Sequence, residues 1–76
     1  MKEFNVRIET IDDVKKFVST VMNFDYDIDI VSGRYAVDAK SIMGIFSLDL
    51  TKELRLVVHS DETAELEAAI ENFIVK

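Results

Sequence analysis

Lys40-Ser41-Ile42-Met43-Gly44-Ile45-Phe46-Ser47-Leu48-Asp49-Leu50 decides how the rest of this chain is arranged. The stretch opens with a hydroxyl residue and then places apolar residues on more than one side of a short helical run. A serine oxygen at the N-cap accepts a backbone N–H of the first turn, so Ser41 reads as the helix start. A short helix cannot bury every apolar residue it carries. Ile45 and Leu48 are expected to take core positions, which leaves Ile42, Met43 and Phe46 at least partly exposed. An apolar patch beside a helix start is a docking surface in form, and methionine suits one because its unbranched, polarizable chain repacks readily.

The flanks supply the scaffold. Phe4-Asn5-Val6-Arg7-Ile8-Glu9 alternates apolar and polar, the period of a half-buried strand with Phe4, Val6 and Ile8 inward. Thr10-Ile11-Asp12-Asp13 offers a capping hydroxyl and two carboxylates for a first helical turn. In the helix that follows, Ile11, Val14, Val18, Val21 and Met22 share a face, with Phe17 at its margin. Phe24-Asp25-Tyr26-Asp27-Ile28-Asp29-Ile30 alternates again, with Ile28 and Ile30 inward and three aspartates opposite. Those aspartates lack the glycine and the terminal glutamate of a calcium loop, so a solvated strand face is the reading.

Ser32-Gly33-Arg34 joins two alternating runs and reads as a hairpin turn, with Tyr35, Val37 and Ala39 on the buried side of the second strand. Glu53-Leu54-Arg55-Leu56-Val57-Val58-His59 gives a last strand, with Leu54, Leu56 and Val58 inward. Ser60 or Asp61 then caps a final helix on which Leu66, Ala69, Ile70, Phe73 and Ile74 recur at i, i+3, i+4 spacing. The expected order is β-α-β-β-α-β-α over residues 1–76 as a single domain. It corresponds to an α+β, two-layer open-faced sandwich: a four-stranded, mostly antiparallel sheet with three helices on one face.

Composition narrows the function. The 49% hydrophobic content suffices for one core, and no proline with only two glycines argues against a disordered tail. The absence of cysteine removes disulfides and thiolate metal sites. No apolar run approaches the ~20 residues that cross a bilayer, and Met1-Lys2-Glu3-Phe4 has no signal-peptide character, so a soluble, cytoplasmic protein without membrane attachment is expected. Nine basic against fifteen acidic residues, a formal charge of −6, disfavours nucleic acid. No nucleophile–base pair, metal cluster or phosphate-binding glycine loop is found, which points away from an enzyme and from any cofactor or metal.

Lys40-Ser41-Ile42-Met43-Gly44 followed by Ile45-Phe46-Ser47-Leu48 resembles the regulatory-serine segment of HPr, the small phosphocarrier of the bacterial sugar phosphotransferase system, where it commonly reads K-S-I-M-G-V-M-S-L. The hairpin and Asp27-Ile28-Asp29-Ile30 keep the family's spacing to that serine, and the likeness extends more loosely over the last strand and helix. The resemblance implies that Ser41 is the serine phosphorylated by the family's kinase and that Lys40, Ile42, Met43 and Phe46 contribute to partner binding. It implies HPr kinase/phosphorylase and a catabolite-control transcription factor as partners.

One passage departs from the family. Its phosphocarrier histidine lies in a loop reading approximately T-G-L-H-A-R-P-A, whereas here Glu9-Thr10-Ile11-Asp12-Asp13-Val14-Lys15 contains no histidine, arginine or proline. Phosphohistidine transfer needs an imidazole nitrogen. Thr10 is a far weaker nucleophile, with two carboxylates beside it to repel phosphate, and His59, the only histidine, reads as a surface residue of the last strand. The expectation is therefore an HPr-like regulatory or adaptor protein that lacks histidine phosphotransfer and is switched at Ser41. The alternative is an HPr-fold interaction module of an unrelated complex in which Ser41 only caps its helix.

Overall fold

A computed structural model describes residues 1–75. Its elements run β1 (Lys2–Val6), α1 (Ile11–Val21), β2 (Ile28–Ser32), β3 (Tyr35–Asp38), α2 (Ile42–Phe46), β4 (Leu54–Val58) and α3 (Ala64–Ala69), followed by a 3₁₀ turn, Glu71–Phe73. The four strands form one sheet of order β1-β4-β2-β3, antiparallel throughout. The expected α+β architecture is the observed one.

The alternation fixes which side is covered. Val6, Ile28, Ile30, Leu54, Leu56 and Val58 project from the sheet into the core, where Val14, Phe17, Val18 and Val21 of α1, Ile45 of α2 and Leu66 of α3 meet them. Burying a side chain of this size stabilises by about 1.5–3 kcal/mol. The β2–β3 hairpin turns at Gly33, whose φ of +58° is the left-handed conformation that glycine adopts without steric cost.

Several boundaries and faces differ from the sequence expectation. β1 lies earlier than Phe4–Glu9, because β4 runs out of pairing residues where Val6 meets Leu54. Beyond that point Arg7 N–H donates to the Phe73 carbonyl at 2.8 Å and Val75 N–H donates to Asn5 at 2.8 Å, so the C-terminal segment takes over the edge. Ile8 stays fully buried, while Phe4 is only partly so. On α1 the buried set is Val14, Phe17, Val18 and Val21. Phe17 belongs to the centre of that face, whereas Ile11 and Met22, at the two ends of the helix, are exposed.

β2 starts at Ile28, so Asp25 and Asp27 belong to the preceding loop and only Asp29 sits on the open face. Tyr35, beside the turn on the outer strand, is 72% exposed, and Val37 is partly buried; Ala39 is fully buried as expected. Thr63, rather than Ser60 or Asp61, stands at the N-cap position of the last helix, and its side chain makes no capping bond. Ser60 instead accepts Glu62 N–H at 3.2 Å to close a turn, and Asp61 receives the Met1 amine at 2.8 Å. After Ala69, which is exposed, the tighter 3₁₀ turn swings Phe73 edge-on to Phe17, with ring centroids 5.5 Å apart. Ile74 then leaves the helical path to bridge Val6.

Candidate functional site

Ser41 sits where β3 ends and α2 begins, in a turn with little freedom. Its N–H donates to the Asp38 carbonyl at 2.9 Å, its carbonyl accepts Ile45 N–H at 3.0 Å, and its Oγ accepts Gly44 N–H at 3.1 Å. Gly44 makes this close packing possible. A Cβ placed there would stand 3.1 Å from Ser41 Oγ and 3.2 Å from Val37 Cβ. The end of the helix is tied by Ser47, whose hydroxyl donates to the Gly44 carbonyl at 2.6 Å.

The apolar residues divide largely as their spacing requires. Ile45 is fully buried and Leu48 nearly so, Ile42 is partly buried against the core, Met43 is 76% exposed and Phe46 39% exposed. Lys40 has a partner that no local pattern discloses. Its ammonium donates to the carbonyl of Phe24 at 2.6 Å, and its N–H donates to Asp38 Oδ1 at 2.9 Å. The lysine therefore anchors the Ser41 turn to the segment that follows α1. No acidic residue stands in the first turn of α2. Beyond the helix, Asp49 is held below the usual carboxylate range by hydrogen bonds from the Thr51 hydroxyl and N–H.

The start of α1 is built differently. Thr10 Oγ1 accepts Asp13 N–H at 3.0 Å, while the Asp13 carboxylate accepts the N–H groups of Glu9 and Thr10, both at 3.3 Å. This is a reciprocal capping box with aspartate in place of the commoner glutamate. Helix N-termini attract anions through their free N–H groups. Here the chain's own carboxylate takes that place, with Asp12 adding a second negative charge.

His59 stands far from this point. Val6, which leads into α1, pairs with Leu54 at the start of β4, whereas His59 follows its other end. Five residues of strand separate them by ~17 Å. The imidazole Nε2 lies 2.9 Å from the Asp29 carboxylate on the open face of the sheet. Among the described residues no three His, Cys, Asp or Glu side chains converge as a metal site, and no helix is long and apolar enough to cross a membrane.

The model of the family described as "PTS HPr component phosphorylation site" matches residues 13–75, a span that starts within the divergent Glu9–Lys15 passage. Among solved structures, HPr-C-His from Thermoanaerobacter tengcongensis is similar, with a TM-score of 0.79 and 29% identity over 95% of this chain and 89% of that one. A phosphocarrier protein HPr from Bacillus anthracis str. Ames is also similar, with a TM-score of 0.72 and 26% identity over 95% of each chain. No curated protein gives a significant match.

Proposed function

The chain belongs to the HPr family of the sugar phosphotransferase system, and from that membership we propose that it is a regulatory or adaptor protein that works by protein–protein contact through α2. In this reading it has given up histidine phosphotransfer, resides in the cytoplasm, and is switched by phosphorylation of Ser41. The observation that carries the proposal is the contrast within the chain. The serine-capped α2, with Met43 and Phe46 exposed beside it, is intact, while the α1 start has no imidazole and is closed by Asp13.

The chemistry of Ser41 is compatible with the switch. A phosphate dianion on its oxygen stands at the positive end of a helix and meets no carboxylate in the first turn. The Lys40 ammonium is held on the Phe24 carbonyl and must leave it to reach a phosphate at Ser41, while the Asp38 carboxylate accepts Lys40 N–H in the same turn, so the helix start itself supplies the favourable field. Modification turns the Oγ that accepts Gly44 N–H into an ester oxygen, a weaker acceptor, so the charge gained and the cap altered act at one place. HPr kinase/phosphorylase is the expected modifying enzyme, and a catabolite-control transcription factor the expected reader of the modified face. Met43, Phe46 and the exposed part of Ile42 supply the apolar contact, and Lys40 the basic edge.

Titration calorimetry with such a transcription factor, using both the plain and the Ser41-phosphorylated protein, tests the reading. Binding by the phosphorylated form that weakens on Met43→Ala is the expected result. Absence of binding by both forms would sink it.

A further inference from the structure

Away from α2, the segment between α1 and β2 faces the entry to α3 across a cleft of about 570 Å³, a volume within the ~300–1,000 Å³ typical of ligand pockets. One wall carries Phe24 and Tyr26, both partly buried, their rings 5.7 Å apart and inclined by 34°. The other carries Asp61, Glu62, Glu65 and Glu67, with Lys2 as the one cation among the described lining residues. Two of those carboxylates already have partners: Asp61 takes the Met1 amine at 2.8 Å, and Glu67 takes the Thr63 hydroxyl at 2.7 Å. The side chains of Glu62 and Glu65 make no hydrogen bond or ion pair among the described residues. Burial, and after it the charge of Glu65, push the Tyr26 phenol above its ordinary 10.0, so the field of that carboxylate reaches the aromatic wall.

The occupant follows from these two walls taken together. An apolar ligand would strip water from free carboxylates with nothing in return. A metal ion has no converging ligand set among the described residues. Phosphate-bearing partners are repelled. A guanidinium satisfies both walls, because its plane stacks on an aromatic face while its N–H fork addresses a carboxylate. We propose that this cleft receives an arginine side chain from a basic segment of a partner protein, stacked against Tyr26 and Phe24 and paired with Glu65, with Glu62 holding a neighbouring cation. The site lies away from α2, although the Lys40 ammonium on the Phe24 carbonyl ties its aromatic wall to the Ser41 turn.

The test is an amide-resolved NMR titration of the whole chain with a blocked tetra-arginine peptide at physiological ionic strength, where a screening length of ~8 Å suppresses diffuse attraction to the acidic surface. The expected result is saturable shifts confined to residues 24–26 and 61–67, with tetra-lysine binding more weakly. Tyr26→Ala weakens tetra-arginine by about 2- to 5-fold, the range of an exposed cation–aromatic contact, and Glu65→Gln by up to about 5-fold, the range of an exposed ion pair. Asp12→Asn, an equal loss of charge elsewhere, leaves binding unchanged. Glu65, exposed on α3, keeps the test decisive if Tyr26→Ala does not fold. Shifts scattered over the acidic surface, equal affinity for tetra-lysine, or indifference to Glu65→Gln overturns the proposal.

Discussion

Helices α1 and α2 both start from a hydroxyl that accepts the N–H of the third helical residue, Thr10 from Asp13 at 3.0 Å and Ser41 from Gly44 at 3.1 Å. The third residue makes the difference. At α1 it is an aspartate that folds back onto the chain and adds its own negative charge. At α2 it is a glycine that adds nothing except room. The first terminus is finished as structure, whereas the second keeps a hydroxyl at a helix start with no carboxylate in its first turn. One capping geometry thus stands beside two carboxylates at α1 and beside none in the first turn of α2.

The comparison casts α1 as scaffold and α2 as surface, and the largest effect should come from breaking the first. Phe17 is fully buried and meets Phe73 edge-on. Phe17→Ala should cost about 3–5 kcal/mol in urea unfolding. Met43→Ala, on the exposed side of α2, should stay within about 0.5 kcal/mol of the parent.

Capping separates the two termini next. Thr10→Ala removes one half of a reciprocal box on an 11-residue helix and should cost about 1–2 kcal/mol. Ser41→Ala breaks a single bond on a five-residue helix and should cost about 1 kcal/mol or less by the same assay. Equal costs would erase the distinction drawn here.

Gly44→Ala sharpens the role assigned to the third residue. Alanine normally stabilises a helix interior relative to glycine by about 0.5–1 kcal/mol. Here the new methyl group would press on Val37 Cβ, which is fixed to a strand, and on the capping oxygen. A net destabilisation of about 1 kcal/mol is expected, since overpacking costs about 1–3 kcal/mol.

The smallest effect concerns acid. Hydrogen bonds from Thr51 hold Asp49 below its ordinary 3.8. The native state therefore binds the proton less readily than the unfolded chain does. The stabilisation this confers is present above the ordinary value and fades as pH falls through the lowered one. Asp49→Asn should flatten the acid limb of a stability–pH curve slightly and leave the neutral region alone. The Asp49 side chain is half exposed to solvent, so the change is small.

How much of this was legible beforehand depended on how local the cause was. Ser-Gly-Arg between two alternating runs named the hairpin, and Leu54, Leu56 and Val58 named the covered face, because both signals lie within a few residues. The cap at Ser41 and the burial of Ile45 and Leu48 were readable for the same reason. Periodicity gives α1 a face but does not show that both its ends stay uncovered, so spacing alone puts Ile11 and Met22 inside and Phe17 at the margin, whereas Phe17 is buried and the other two are exposed. At α3 the run Ser60-Asp61-Glu62-Thr63 offers several capping side chains in a row. None of them caps the helix: Thr63 takes the N-cap position, but its buried hydroxyl donates to Glu67 instead. The tie from Lys40 to Phe24 spans sixteen positions, and the cleft joins residues from distant parts of the chain. Neither leaves a mark on any short window of sequence.

The most direct test of the central claim asks which terminus takes phosphate. Incubated with HPr kinase and ATP beside an ordinary HPr, the chain should gain one phosphoryl group by intact-mass spectrometry, and Ser41→Ala should gain none. An unmodified chain beside a phosphorylated HPr, or a gain that survives Ser41→Ala, would contradict the account.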